Sequence, residues 1–218
     1  MSTDIETQAP EIPEVRSRKG TPTWEIAFLF PDQGTWSEQE YLALDTNHLI
    51  EYCDGHLEFL PMTDMFHQDL VAFVYKLLTL FVEGQNLGRV YFAPLRIRTI
   101  PRKIREPDVV FVRPERIKDR RTPPNGADLV VEIVSPGEDA RKRDLETKRD
   151  EYARAGISEY WIVDPEKETV KVLTLEGESY REHGEFKQGQ TADSVLLEGF
   201  QLDVSALFAA GQAGEKKS

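Results

Sequence analysis

Two short segments, "DVVFV" at 108–112 and "DLVVEIV" at 128–134, constrain this chain most. Apart from their acids they are continuously apolar. Strands of that kind are buried on both faces, and they occur in sheets covered by other elements on each side. The chain is therefore expected to fold as an α/β protein with a central sheet and helices packed on it. Each segment also carries an acid. Side chains alternate along a strand, so Glu132 shares a face with Val130 and Val134. Asp108 stands at the mouth of the other strand, inside "REPDVVFV". A bare carboxylate on a buried face costs several kcal/mol unless it is paired, protonated or bound to a cation. Two readings follow. Glu132 is either a structural acid paired with an arginine or backbone donor, or it converges with Asp108 on one hard cation. Mg²⁺ is held in the second manner, by one or two carboxylates with water and substrate phosphate completing the shell.

The surrounding pattern supplies the layers. In "WSEQEYLALD", Ser37 and Glu40 form a capping box for a short helix. Asp54-Gly55 in "LIEYCDGHLEFL" is a hairpin turn. Asp64 caps a long helix running to Glu83 or Gly84, with His67, Leu70, Val71, Val74, Leu77, Leu78 and Phe81 on one face. "RVYFAPLRIRTI" reads as strand broken at Pro94, and "RPERIKDRRTPPNGA" as a basic loop between the two central strands. A helix is expected from about Ala140 to Ala155, stopped by Gly156. "EYWIVDP" is a strand, "TVKVLTLEGESY" opens a hairpin, and "DVSALFAA" is a short closing helix. One domain over 21–210 is expected, between tails at 1–20 and 211–218.

Composition narrows the function. The net charge of −12 argues against nucleic acid if read alone. The charge is uneven, however. From Arg89 to Arg121 there are eleven Lys or Arg and four acids, a local excess of +7 that leaves −19 for the rest. Arg105, Arg113, Arg116, Lys118, Arg120 and Arg121 are the candidates for a phosphate track, against the alternative of ordinary solvated charge. The single cysteine, Cys53, excludes an internal disulfide and suits a reducing compartment. No apolar leader and no membrane-spanning stretch is evident, so a cytoplasmic protein is expected. The histidines make no zinc spacing, and no phosphate-binding loop or nucleophile elbow is present.

In "DARKRDLETKRDEYARAG", Asp144, Leu145, Lys148, Tyr152 and Ala155 share the inward face. Lys148 is either a snorkelling lysine paired with Asp144 at i,i+4, or a positive charge aimed at the carboxylates. Taken together, "PDVVFV", "DLVVEIVSP" and "KRDEYARAGISEYWIVDP" resemble the Uma-two family of restriction-endonuclease-like proteins, within the PD-(D/E)xK nuclease superfamily. The resemblance runs from roughly Trp36 to Phe208. It implies a mixed central sheet flanked by helices, with additional N-terminal and C-terminal β-hairpins. It implies Asp108 and Glu132 as ligands of Mg²⁺ or Mn²⁺, and DNA as substrate. Val134 stands where the superfamily motif has lysine, and Lys148 occupies the position from which this family supplies the basic group. Glu51 and His67 match two further family positions, as a third metal ligand and as a catalytic group. The readings carried forward are a metal-dependent endonuclease, a catalytically weak nucleic-acid-binding or regulatory protein of the same fold, and a hydrolase of a small phosphoester. A homodimer is expected if both strands of a duplex are cut.

Overall fold

A computed structural model describes residues 30–45 and 48–212, so the expected tail at 1–20 and residues 213–218 lie outside the described residues. From Gln33 onward the chain forms one compact unit. Its spine is a six-stranded sheet made of β3 (Arg89–Phe92), β6 (Val109–Val112), β7 (Leu129–Ile133), β8 (Glu159–Asp164), β9 (Thr169–Glu176) and β10 (Ser179–Lys187), in the order β10-β9-β8-β7-β6-β3. The two segments that open the sequence argument are β6 and β7, paired side by side, with every residue of both buried. β7 and β8 run parallel and all other neighbours antiparallel. A parallel pair needs a crossover, and here it is helical. α3 (Glu138–Lys142), a π-helical turn (Arg143–Thr147) and α4 (Lys148–Arg154) follow one another without a break. The uninterrupted helix expected from Ala140 is thus replaced by a helix with a wide turn in its middle. Such turns are frequent at functional sites. Ala155 closes the helix and Gly156 follows at φ +72°, the left-handed position that glycine accepts without steric cost.

Strand alternation sorts the core into two layers. Val109, Phe111, Leu129, Val131, Ile133, Trp161 and Val163 face α2 (Met65–Gly84) and α5 (Val204–Gly211). Val110, Val112, Val130, Val134, Tyr160 and Ile162 face α4 through Tyr152 and Ala153. Glu132 falls on the second face, as the alternation requires. Asp64 caps α2 by accepting from the His67 N–H at 2.8 Å. This helix is long and apolar enough to cross a bilayer by length and composition, contrary to the expectation from sequence, but its inward stripe of Leu70, Val71, Val74, Leu78 and Val82 is part of the core.

The Asp54-Gly55 hairpin is the start of a second sheet rather than an appendage. β1 (Ile50–Cys53) pairs with β2 (His56–Phe59) on one side and β5 (Lys103–Arg105) on the other, and β4 (Ile97–Arg98) completes the order β2-β1-β5-β4. The break at Pro94 is where the chain leaves one sheet for the other, β3 belonging to the large sheet and β4 to the small one. α1 (Glu38–Ala43) carries the expected capping box, and its Tyr41 joins Trp36, Ile50, Tyr52, Leu57 and Ile104 in a separate small core. A two-stranded sheet of β11 (Thr191–Asp193) and β12 (Gln201–Asp203) precedes α5.

Candidate active site

Sheet register brings the two acids together. Val109 lies opposite Val131, which puts Asp108, one residue before β6, level with Glu132 on the same face. Asp108 Oδ2 accepts the Ile133 N–H at 2.8 Å, and His67 Nε2 stands 3.4 Å from the same oxygen. Glu132 is buried, and its Oε1 accepts from Lys148 Nζ at 2.8 Å and from the Tyr152 hydroxyl at 2.7 Å. In both acids these bonds fall on one oxygen, and both residues line a narrow pocket of about 30 Å³ at the end of the strands. His67, Glu106, Arg143, Asp144 and Lys148 line it as well. That volume suits an ion or one or two waters, since a water needs about 10–15 Å³ by this measure.

Lys148 is the hub. Its side chain is 3% exposed, and Nζ lies 2.8 Å from Glu132, 3.3 Å from Glu51 and 3.5 Å from Asp144. Both sequence readings of this lysine are therefore realised at once, because it pairs with Asp144 and points at the carboxylates. Burial works against its charge, but Glu132, Glu51 and Asp144 outweigh burial and hold it protonated. Burial pushes the Glu132 carboxyl up to about 7; Lys148 opposes this, while Asp108, Asp144 and Glu51 add to it. The pocket is thus short of positive charge even with its lysine in place. His67 loses basicity through burial and regains more than that from Asp108, so its net shift is upward.

The expected residues do not all stay in one site. Asp108, Glu132, Lys148 and His67 converge. Glu51 does not line the pocket. Its Oε2 accepts from Arg105 at 2.8 Å and its Oε1 from the Glu106 N–H at 3.1 Å, so it supports Lys148 from behind and is not placed as a metal ligand. Arg105 is a second correction. It was expected on a phosphate track, yet it is fully buried and clasped by Glu51, Glu58 and Glu151 at 2.7–2.8 Å. It holds the small sheet to α4 and cannot meet a phosphate. Arg113, Lys118, Arg120 and Arg121 are exposed, while Arg116 is tied to Asp128 at 3.1 Å. These five follow the end of β6 opposite to Asp108, and none lines the pocket. The positive charge at the pocket comes instead from Lys148 and Arg143.

Sequence reasoning missed Tyr152 as a partner of Glu132, and Glu106 and Asp144 as wall residues. Tyr152 and Asp144 were legible as an inward stripe at i and i+8, but apolar packing is the ordinary use of such a stripe. Glu106 left no signal beyond standing two residues before Asp108.

The donor set can be tested against a divalent cation. Among the described residues no three His, Cys, Asp or Glu side chains are already gathered as a metal cluster. Two of the carboxylates that line the pocket, Asp108 and Glu132, each keep an oxygen not used by the bonds above, and the acids there outnumber Lys148 and Arg143. That fits a hard cation held by Asp108 and Glu132, with water as its remaining ligands.

Comparison with known proteins agrees with this fold. The chain belongs to the Uma2 family, described as "Putative restriction endonuclease", whose model matches residues 38–205. Its fold is similar to a crystal structure, at 1.96 Å resolution, of "a putative nuclease belonging to DUF820" from Anabaena variabilis, with a TM-score of 0.67 at 20% identity, covering 83% of this chain and 99% of that one. No curated protein matches the sequence.

Proposed function

We propose that this protein is a Mg²⁺- or Mn²⁺-dependent phosphodiester hydrolase, an endonuclease acting on DNA. The observation that carries the reading is the convergence of Asp108, Glu132 and Lys148 on one pocket whose acids outnumber its basic side chains. The family's description as a restriction endonuclease supports DNA as the substrate class. A divalent cation bound there would lower the pKa of an attacking water and neutralise charge on the phosphorane. Asp108 and Glu132 would hold it, Asp108 being fixed by the Ile133 amide and by His67. Tyr152 and Lys148 lock the Glu132 carboxylate in one orientation. Lys148, kept protonated by three acids, supplies a fixed positive charge to the non-bridging phosphate oxygens as they gain charge. His67 is placed to orient water or phosphate beside Asp108.

The lysine's place on α4 explains how Val134 is tolerated. A lysine at 134 would project from the same face of β7 as Glu132, and Lys148 already fills that role from the facing helix, while Val134 packs in the apolar layer with Val130 and Tyr152. The test is cleavage of plasmid and of a chromogenic phosphodiester by the purified protein, with and without EDTA. Metal-dependent plasmid cleavage is expected. Gel shift without cleavage would support a binding protein, and turnover of the small ester alone would support a phosphoesterase.

A further inference from the structure

Glu106 is a buried acid whose carboxylate is approached by the Ile50 backbone N–H as well as by Arg96, yet whose Oε2 has no hydrogen bond of ordinary geometry. The residue is 4% exposed, and its Oε1 accepts from Arg96 Nε at 3.1 Å. Arg96 is itself held in place, its guanidinium 4.5 Å from the centre of the Tyr41 ring. The Glu106 backbone is anchored too, through its N–H to Glu51 Oε1 at 3.1 Å. Its Oε2 is buried and has no hydrogen-bond partner. Among the described residues three buried side-chain polar atoms are left this way, and two of them, Glu106 Oε2 and His67 Nδ1, belong to residues that line the pocket. Native proteins rarely leave a buried carboxylate oxygen without a donor unless a water or ion supplies what is missing.

The local sequence explains the direction in which it points. A residue before proline is held extended, so Pro107 keeps Glu106 in β geometry. The chain bends at Asp108 as it passes from the small sheet to the large one, and Glu106 and Asp108 both line the same pocket from one short stretch, "EPD". Four carboxylates, Glu106, Asp108, Glu132 and Asp144, thus wall a space of about 30 Å³; Asp144 is engaged by Lys148 and Arg143, while Glu106 has an acceptor atom without a donor.

We propose that Glu106 is the third carboxylate of the cation site, its Oε2 accepting a hydrogen bond from a water in the shell of the ion held by Asp108 and Glu132. This rests on the reading of those two acids as the metal ligands. A role through water agrees with the fact that, among the described residues, three acids are not already gathered in direct metal-ligand geometry. It also agrees with the way Mg²⁺ keeps several of its waters. Arg96 is then the residue that orients the acid, by occupying Oε1 and turning Oε2 inward.

Mn²⁺ binding to the purified full chain, followed by the loss of the free-ion EPR signal, tests this apart from catalysis. Wild type, Glu106→Gln, Glu106→Asp and Asp108→Asn would be titrated, with melting in EDTA recorded for each. In Glu106→Gln the amide oxygen stays with Arg96 and the NH₂ replaces the acceptor in the pocket. Affinity is expected to fall about 10- to 100-fold, the range seen for lost partners of metal-bound groups, with Tm in EDTA close to wild type. Glu106→Asp, which keeps the charge, should retain part of the affinity. Wild-type affinity in Glu106→Gln, beside lost binding in Asp108→Asn, would overturn the role of Glu106 alone. Absence of Mn²⁺ binding in wild type would overturn the two-carboxylate reading and this inference with it.

Discussion

Two buried charge clusters stand side by side in this protein and share Glu51, yet they differ in kind. Around Arg105 the guanidinium's hydrogen bonds are all taken up by Glu51, Glu58 and Glu151. Glu51 and Glu58 face each other across β1 and β2, which would repel, and Arg105 comes between them from β5 and reaches Glu151 on α4. Thr99 and Lys103 complete the Glu151 carboxylate. Neither Arg105 nor Glu151 lines the pocket at Asp108 and Glu132. Around Lys148 the acids outnumber the bases, two carboxylates turn an oxygen to a pocket, and Glu106 Oε2 lacks a donor. A closed cluster fastens elements together. An open one, with charge left unbalanced toward a space of ion size, is built to receive something. Buried charge alone does not separate structure from function; whether its hydrogen-bonding capacity is used up does.

The sharpest way to break this contrast is to remove each hub. Arg105→Met strands three acids, one of them fully buried, and is expected to cost about 3–5 kcal/mol in urea denaturation. A loss below about 1 kcal/mol, the scale of an exposed pair, would mean that the closed cluster is not holding the sheets together. Lys148→Met is expected to slow cleavage by about a hundredfold or more, the scale of a lost electrostatic contact in the transition state. From sequence alone this variant would leave stability unchanged. With Nζ touching three buried acids, Tm should fall as well, and Mn²⁺ binding in the folded variant should persist. Cleavage at the wild-type rate would make the lysine structural.

A third expectation concerns ligand stabilisation. Mg²⁺ or Mn²⁺ should stabilise the fold by about 2.7 kcal/mol at 100 times its Kd, seen as a rise in Tm, and Asp108→Asn or Glu132→Gln should erase the rise. Full metal stabilisation in the double variant would place the ion elsewhere. Acid titration separates the clusters by a smaller effect. Burial alone would raise the Glu51 carboxyl, but Lys148 and Arg105 hold it down at about 2, from an ordinary value of 4.5. A carboxyl depressed in the folded state contributes stability that is complete above the unfolded value and is lost as pH falls through the folded one. Stability should therefore decline from about pH 4.5 toward pH 2, and Arg105→Met should flatten that limb. An unchanged limb would mean that Arg105 does not set the Glu51 charge. Smallest in energy is neutralisation of Lys118, Arg120 and Arg121. If the basic loop guides DNA toward the pocket, the salt dependence of binding should flatten by about 0.7–0.9 in slope per lost phosphate contact. No change would leave the loop as solvated surface.

What was legible in the sequence follows from which signals are local. Central placement of β6 and β7 could be read from apolar runs, and the pairing of Asp108 with Glu132 from one face and one family pattern. Ser37, Asp64 and Gly156 marked helix ends because caps act within a few residues. Arg105 was misread because its charge says nothing about burial. Only the pairing of β1 with β5, across fifty residues of sequence, sets it opposite Glu51. Glu51 was read as a ligand for the same reason, since its partners come from β5 and α4. The π turn between Asp144 and Lys148 left no compositional mark, and Glu106 gains meaning only through Arg96 and the pocket wall.

The central claim is that Asp108 and Glu132 make one divalent-ion site that cuts phosphodiesters. The most direct measurement is nicking of supercoiled plasmid by wild type and Asp108→Asn, each with Mg²⁺ or Mn²⁺ and with EDTA. The account predicts nicked and linear products from wild type with metal, and none with EDTA or from the folded Asp108→Asn variant. Cleavage that survives both EDTA and Asp108→Asn would contradict it.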